Sequence, residues 1–227
     1  MIPLRNDVPM SRFPSVTLAL IAANISVFIW QLSVGMAESV EVYGAVPRNI
    51  LGGGMSPAGI PAPVTLLTSM FLHGGFLHLG LNMLFFWIFG GNVEDRLGHF
   101  GFLIFYLVCG VLAGLAQMLA APTSPTPMIG ASGAIAGVLG AYFLLFPRSQ
   151  VETLIFLFIF VRKVYLPAVL FLGVWFLMQV FSLSGSGPGS AGTAGGVAIA
   201  AHVGGFISGL VLVRLFGALN RQPPLPT

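Results

Sequence analysis

The sequence predicts an all-α polytopic membrane protein, a bundle of six transmembrane helices, and three observations predict it. Only 7% of the residues are charged while 56% are hydrophobic, whereas a soluble domain carries about a quarter charged residues to cover its surface. Six apolar stretches each approach the roughly 20 residues that cross the hydrocarbon core as a helix, and none holds Asp, Glu, Lys or Arg. The connecting segments alternate in charge, with eight of the nine basic residues on one side.

The first stretch is Ser15–Val34. A signal-peptide core would be shorter and followed by small residues at a cleavage site. Glu38 and Glu41 follow this one instead, so it is read as a retained helix. The second, 65–91, is longer than a crossing needs, and its first residues are assigned to the entry loop. Stretches 100–121, 128–146, 164–183 and 197–213 complete the set, each bounded by charge, proline or a Gly/Ser-rich turn. A seventh run, 153–161, is too short for a crossing helix and is expected to lie in the interface or dip back into it. The expected organisation is a short cytoplasmic N-terminus over 1–14, a membrane domain over 15–217 and a cytoplasmic tail over 218–227.

Charge sets the orientation. Arg5, Arg12, Arg96, Arg148, Arg162, Lys163, Arg214 and Arg221 fall on the termini and the even-numbered loops, against Arg48 alone on the other side. By the positive-inside rule both ends are expected in the cytoplasm, in a bacterial inner membrane. The external side then holds the loops 35–64, 122–127 and 184–196, the last uncharged and flexible in composition. Arg162-Lys163 is the sole adjacent basic pair, so nucleic-acid binding is not expected. Cys109 has no partner for a disulfide and reads as a small core residue.

In this orientation the second, fourth and sixth stretches run from outside to inside. Ser132 and His202 lie a few residues into the fourth and sixth. His78 and Asn82 lie somewhat further along the second. At 1.5 Å per residue these polar groups share one layer beneath the outer surface.

Ser132 stands in GASGAIAG. A serine in a membrane helix commonly bonds back to a carbonyl or joins helices, and Gly130, Gly133, Gly137 and Gly140 let helices approach closely. A nucleophile needs that same closeness, because its base must come within about 3 Å. His202 stands in AHVGGFISG, with Gly205 and Gly209 at i+3 and i+7 on its face, so a Ser132–His202 hydrogen bond is within reach. His78 and Asn82 share a helical face at i and i+4, and three readings compete for them: packing glue, a metal site, or donors to a developing oxyanion. His73 is five residues from His78, no HExxH occurs and no carboxylate is near, which suits a metal poorly. Two converging donors suit an oxyanion. No span supplies an acidic residue, so a hydrolase built here would use a Ser–His pair without a carboxylate. Another class is a proton or ammonium transporter relaying through His73, His78 and His202. It requires a polar path to the cytoplasm, and the inner halves of the fourth and sixth stretches offer none.

GASG in the fourth stretch, AHVGG-x-x-x-G in the sixth and HGGFLHLGLN in the second together resemble the rhomboid intramembrane serine proteases. NVEDRLG resembles that family's cytoplasmic turn, and the likeness covers roughly 64–213. The resemblance implies Ser132 as nucleophile, His202 as general base, and His78, Asn82 and the Ser132 backbone N–H as oxyanion donors. It implies structural roles near the site for His73, Gly130, Gly133 and Gly205, and roles for Glu94 and Arg96 in holding the turn. Transmembrane proteins would be the substrates, cleaved at small residues in locally unstable helices, with no cofactor and no metal. Trp175 and Phe176 would form a lateral gate, and 184–196 a lid. A relative that binds transmembrane clients without cleaving them is the remaining alternative. Many relatives place an aromatic residue four positions after the serine, where this chain has Ala136, so a neighbouring Phe is expected to support the base. The Trp-Arg common in the family's first loop is replaced by Tyr43 and Pro47-Arg48.

Overall fold

The computed structural model describes residues 1–157, 160–183 and 198–217. A strand, β1 (Ile2–Asn6), leads into α1 (Ser15–Val34) and two short helices, α2 (Met36–Tyr43) and α3 (Pro47–Leu51). One helical turn, α4 (Thr65–Thr68), precedes α5 (Phe76–Leu97), α6 (His99–Ala120) and α7 (Ser132–Leu145). A hairpin of β2 (Gln150–Leu157) and β3 (Phe160–Pro167) then leads to α8 (Ala168–Leu183), and α9 (Ile199–Leu215) ends the described chain.

The helical expectation holds for most of the chain, with α1, α5 and α6 long and apolar enough to cross a membrane. Two others are shorter than their sequence stretches, at 14 residues for α7 and 16 for α8, while α9 keeps the length of its stretch, 17 residues, and starts two residues later. Gly130 accounts for α7. Its φ of 114° lies in the left-handed region, so 128–131 approach as irregular chain and Ser132 is the first helical residue. Gly98, at φ 77°, makes a one-residue elbow between α5 and α6.

The sheet corrects the all-α expectation. β1, β2 and β3 form one antiparallel sheet in that order, and the run expected to lie in the interface or dip back is largely its hairpin. The β-branched and aromatic residues of that run suit a pleated ribbon, and Ile2–Asn6 supplies the third strand that a bare hairpin needs. Residues 164–167 likewise belong to β3 and not to the fifth helix, which begins directly after Pro167. The Arg5 guanidinium donates to the buried Glu152 carboxylate at 2.5 Å, and Lys163 lies 3.3 Å from its other oxygen.

Arg5 holds the Glu152 carboxyl below the usual carboxylate range, chiefly through this hydrogen bond. A depressed folded-state pKa stabilises above the unfolded pKa and loses that stabilisation as pH falls through the folded value. Protection of the Ile2–Asn6 amides in hydrogen exchange is therefore expected to weaken below about pH 4. Arg5→Ala should flatten this dependence.

α7 sits at the centre, buried from 133 to 142 and packed by α5, α6, α8 and α9. A helix apolar all round has no face to give to water. Its contacts with α9 advance in step. Ser132 meets His202, Gly133 meets Gly205 and Gly137 meets Gly209, so the two helices run in the same direction. α5 runs with them, since Gly130 lies beside His78 and Phe89 stacks edge-on against Tyr142 at 4.9 Å.

NVED is the last part of α5, not a turn beyond it. Buried Glu94 accepts from the Val16 N–H (2.9 Å), the Thr17 N–H (2.7 Å) and the Thr17 hydroxyl (2.6 Å), capping the first turn of α1. His99 Nδ1 lies 2.6 Å from Oε1, the oxygen that accepts from the Val16 N–H. The Arg96 guanidinium lies over the Phe146 ring, 5.7 Å from its centre.

Candidate active site

Three helix beginnings bring the site together. Ser132 opens α7, His202 is the fourth residue of α9, and His78 and Asn82 occupy the first two turns of α5. The face of α9 that carries His202 also carries Gly205 and Gly209. A Cβ on either would overlap a backbone carbonyl of α7. That closeness puts Ser132 Oγ 2.8 Å from His202 Nε2.

The other ring nitrogen is also engaged. His202 Nδ1 lies 2.9 Å from the Gln179 side-chain oxygen on α8. An amide oxygen only accepts, so Nδ1 carries the proton and Nε2 is left to accept from the Ser132 hydroxyl. The Trp175 ring, one turn before Gln179, stands 6.0 Å from the imidazole. Phe176 stacks on Phe206 at 4.6 Å. The expected support from a Phe is thus replaced by Trp175 and an amide, while Ala136 lies buried in the cavity wall.

His78 accepts the Gly74 N–H at Nδ1 (3.2 Å), which leaves Nε2 to carry its proton. Nε2 is the nitrogen turned toward Gly130 and Ser132. One Asn82 amide hydrogen goes to the His78 carbonyl (2.9 Å), and the amide has a second to give. The N–H groups of Ser132, Gly133 and Ala134 precede the first intrahelical bond of α7, from Ile135 N–H to the Ala131 carbonyl. These free donors stand at the positive end of the helix dipole.

His73 is fully buried below the site. Its N–H donates to Gln31 of α1 (2.9 Å), and the Gln31 amide donates to Ser39 of α2 (3.1 Å). Its ring stacks edge-on with His78 at 5.1 Å instead of converging with it on a point. Among the described residues no three His, Cys, Asp or Glu side chains are grouped as a metal would need. The first loop is fastened by backbone pairing of Ala45 with Met128 and by the Thr68 hydroxyl donating to the Tyr43 carbonyl at 2.7 Å.

Ser132, His202, His78 and Asn82 all line one cavity of about 560 Å³. Its other walls are mainly apolar, among them Phe85, Ile135 and Trp175. A smaller pocket of about 40 Å³ opens on the other side of Ser132, walled by Met70, Ala113 and Gly114. The segment 184–196, expected as a lid, lies outside the described residues, as does the tail at 218–227.

A sequence model of the Rhomboid domain matches residues 62–219, from the approach to α4 through α9. This chain belongs to the rhomboid family.

It is an integral membrane protein. Named rhomboid relatives are found in several compartments and organisms. Rhomboid protein 1, mitochondrial, of Saccharomyces cerevisiae is 30% identical over 198 residues, 85% of this chain and 51% of its own. Rhomboid protease GluP of Bacillus subtilis is 34% identical over 131 residues, 56% of this chain and 24% of its own. Rhomboid protease GlpG of Yersinia pestis is 30% identical over 144 residues, 63% of this chain and 44% of its own. The chain thus spans about half the length of the first of these and less of the others. Gln179 is the site residue that sequence reasoning passed over. Its signal was a lone amide in an apolar span, at i+4 from Trp175.

Proposed function

We propose that this rhomboid is an intramembrane serine endopeptidase that cleaves transmembrane segments of other membrane proteins, with Ser132 and His202 as its catalytic pair. The observation that carries this reading is the 2.8 Å contact between Ser132 Oγ and His202 Nε2 on the wall of a large cavity within an apolar bundle. Ser132 Oγ attacks the scissile carbonyl carbon while His202 Nε2 takes the hydroxyl proton. The carbonyl oxygen gains the negative charge and is held by the Ser132 N–H, His78 Nε2–H and the free Asn82 amide hydrogen. As the tetrahedral adduct collapses, the C–N bond breaks and His202 returns the proton to the leaving nitrogen. Water, deprotonated by the same ring, then hydrolyses the acyl-serine ester.

α1, α5, α6, α7, α8 and α9 are the proposed six spans, over 15–217. α7 falls short of a full crossing, and its N-terminal end, turned into a wet cavity, does not have to meet lipid. The distribution of basic residues supports cytoplasmic termini and a cavity open to the external side, in a membrane proposed to be the bacterial inner membrane. The small pocket beside Ser132 fits a small side chain at the scissile position. Trp175 and Phe176 on α8 suit a lateral gate, and a cross-link from α8 to α5 that leaves cleavage at full rate would remove that role.

The test is the full chain in liposomes with a model transmembrane substrate and a fluorophosphonate probe. Cleavage with labelling at Ser132 is expected. Ion flux without labelling would overturn the reading in favour of a histidine relay, and substrate binding without either would leave an inactive client-binding rhomboid. His78→Ala and Asn82→Ala are each expected to lower kcat about 10²-fold. KM should change little, because their bonds to the oxyanion form only in the transition state.

A further inference from the structure

We infer that Gln179 is the positioning residue of this site: its amide oxygen holds His202 in the one tautomer that can take the Ser132 proton, and does so only while α8 lies against α9. The inference rests on the Ser132–His202 reading above and adds a third member that is neither acidic nor on the helices carrying the pair.

A neutral imidazole has one N–H, and the two contacts of His202 divide it. Nε2 faces the Ser132 hydroxyl at 2.8 Å and Nδ1 faces the Gln179 oxygen at 2.9 Å. With the oxygen accepting, the proton sits on Nδ1 and Nε2 is a base. If the amide turned over, its N–H would donate to Nδ1. The ring proton would then move to Nε2, and Ser132 could only accept. The orientation of one amide therefore separates a proton acceptor from an inert pair.

Gln179 also matches its surroundings. Among the described residues no carboxylate lines the cavity, and the other titratable side chain on its wall is His78 from α5. A carboxylate there would be costly to bury in hydrocarbon, whereas an amide dipole steers the ring without that cost. Trp175 and Gln179, one turn apart on α8, meet the same imidazole, one near its ring and one at its edge.

The helix that supplies this bond is peripheral. Leu177, Met178 and Phe181 on α8 are 64%, 53% and 61% exposed, a face suited to lipid. An outward swing of α8 would break the bond from Gln179 to His202 while leaving Ser132 and His202 on α7 and α9 together. A displaced α8 thus releases the base, and its return sets it again.

The test uses the full chain in liposomes with a transmembrane substrate, comparing wild type with Gln179→Leu and Gln179→Glu. The Leu variant keeps the side-chain bulk without the acceptor. Its kcat is expected to fall about 10- to 100-fold with KM within about twofold, and fluorophosphonate labelling of Ser132 should slow in parallel. The Glu variant restores an acceptor. It should recover to within about fivefold of wild type and move the acidic limb of the kcat/KM profile to higher pH, since a carboxylate favours the imidazolium. A Leu variant labelled at the wild-type rate would overturn the inference. So would a Glu variant with an unshifted acidic limb, and that result decides alone if the Leu variant does not fold. Wild type that resists labelling altogether would remove the Ser132–His202 reading itself, whereas labelled wild type with an indifferent Leu variant removes only the role of Gln179.

Discussion

Ser132→Ala is expected to abolish cleavage of a transmembrane substrate, and His202→Ala to come close to doing so. The serine variant has no atom to form the acyl bond. The histidine variant keeps its hydroxyl, 2.8 Å from nothing once the imidazole is gone, and must ionise without a base. Losses of about 10⁴-fold or more are the scale for removing either member of such a pair. The two act as one unit, so the double variant should be no worse than the single serine variant. Both proteins should remain folded, because Ser132 and His202 are small parts of an interface dominated by glycine contacts. Initial cleavage rates and probe labelling, read beside thermal melts in detergent, check each statement. Cleavage that persists at the wild-type rate in Ser132→Ala would falsify the mechanism.

Gly209→Val should be nearly as damaging by an indirect route. A Cβ at Gly209 would overlap the Gly137 carbonyl oxygen and come within 2.8 Å of its Cα. Those are backbone atoms with no rotamer to yield, so α9 must move away from α7. Overpacking of this kind costs about 1–3 kcal/mol. The displacement also carries His202 away from Ser132, and a misplacement of about 1 Å lowers a rate on the order of 10²-fold. Gly80→Ala is the matched control, because nothing lies within 4 Å of a Cβ there. It should leave cleavage unchanged and raise helix stability slightly. A Gly209→Val protein with normal melting and normal cleavage would mean that the close approach of α7 and α9 does not set the site.

Much of this was legible in the sequence because the relevant signals are local. Long uncharged stretches announced α1, α5 and α6, and Gly205 and Gly209 at i+3 and i+7 from His202 marked the face that meets α7. The sheet was not legible for the opposite reason. Arg5 and Glu152 are 147 residues apart, and no periodicity in a five-residue strand points to a partner so distant. The start of α7 was placed too early, because hydropathy continues through 128–131 while the backbone at Gly130 does not. Gln179 is not legible because an uncharged amide in an apolar span lacks the charge that marks a partner for a histidine.

Glu94 also bears on how the chain is made. The groups it caps, at Val16 and Thr17, precede it by 78 and 77 residues. At translation speeds of about 5–20 residues per second, the ribosome needs several seconds to supply that carboxylate after the first helix has been synthesised. During the delay the first turn of α1 is without the carboxylate cap that it has in the finished fold. Once Glu94 is available, the start of α1 can be fastened to the end of α5.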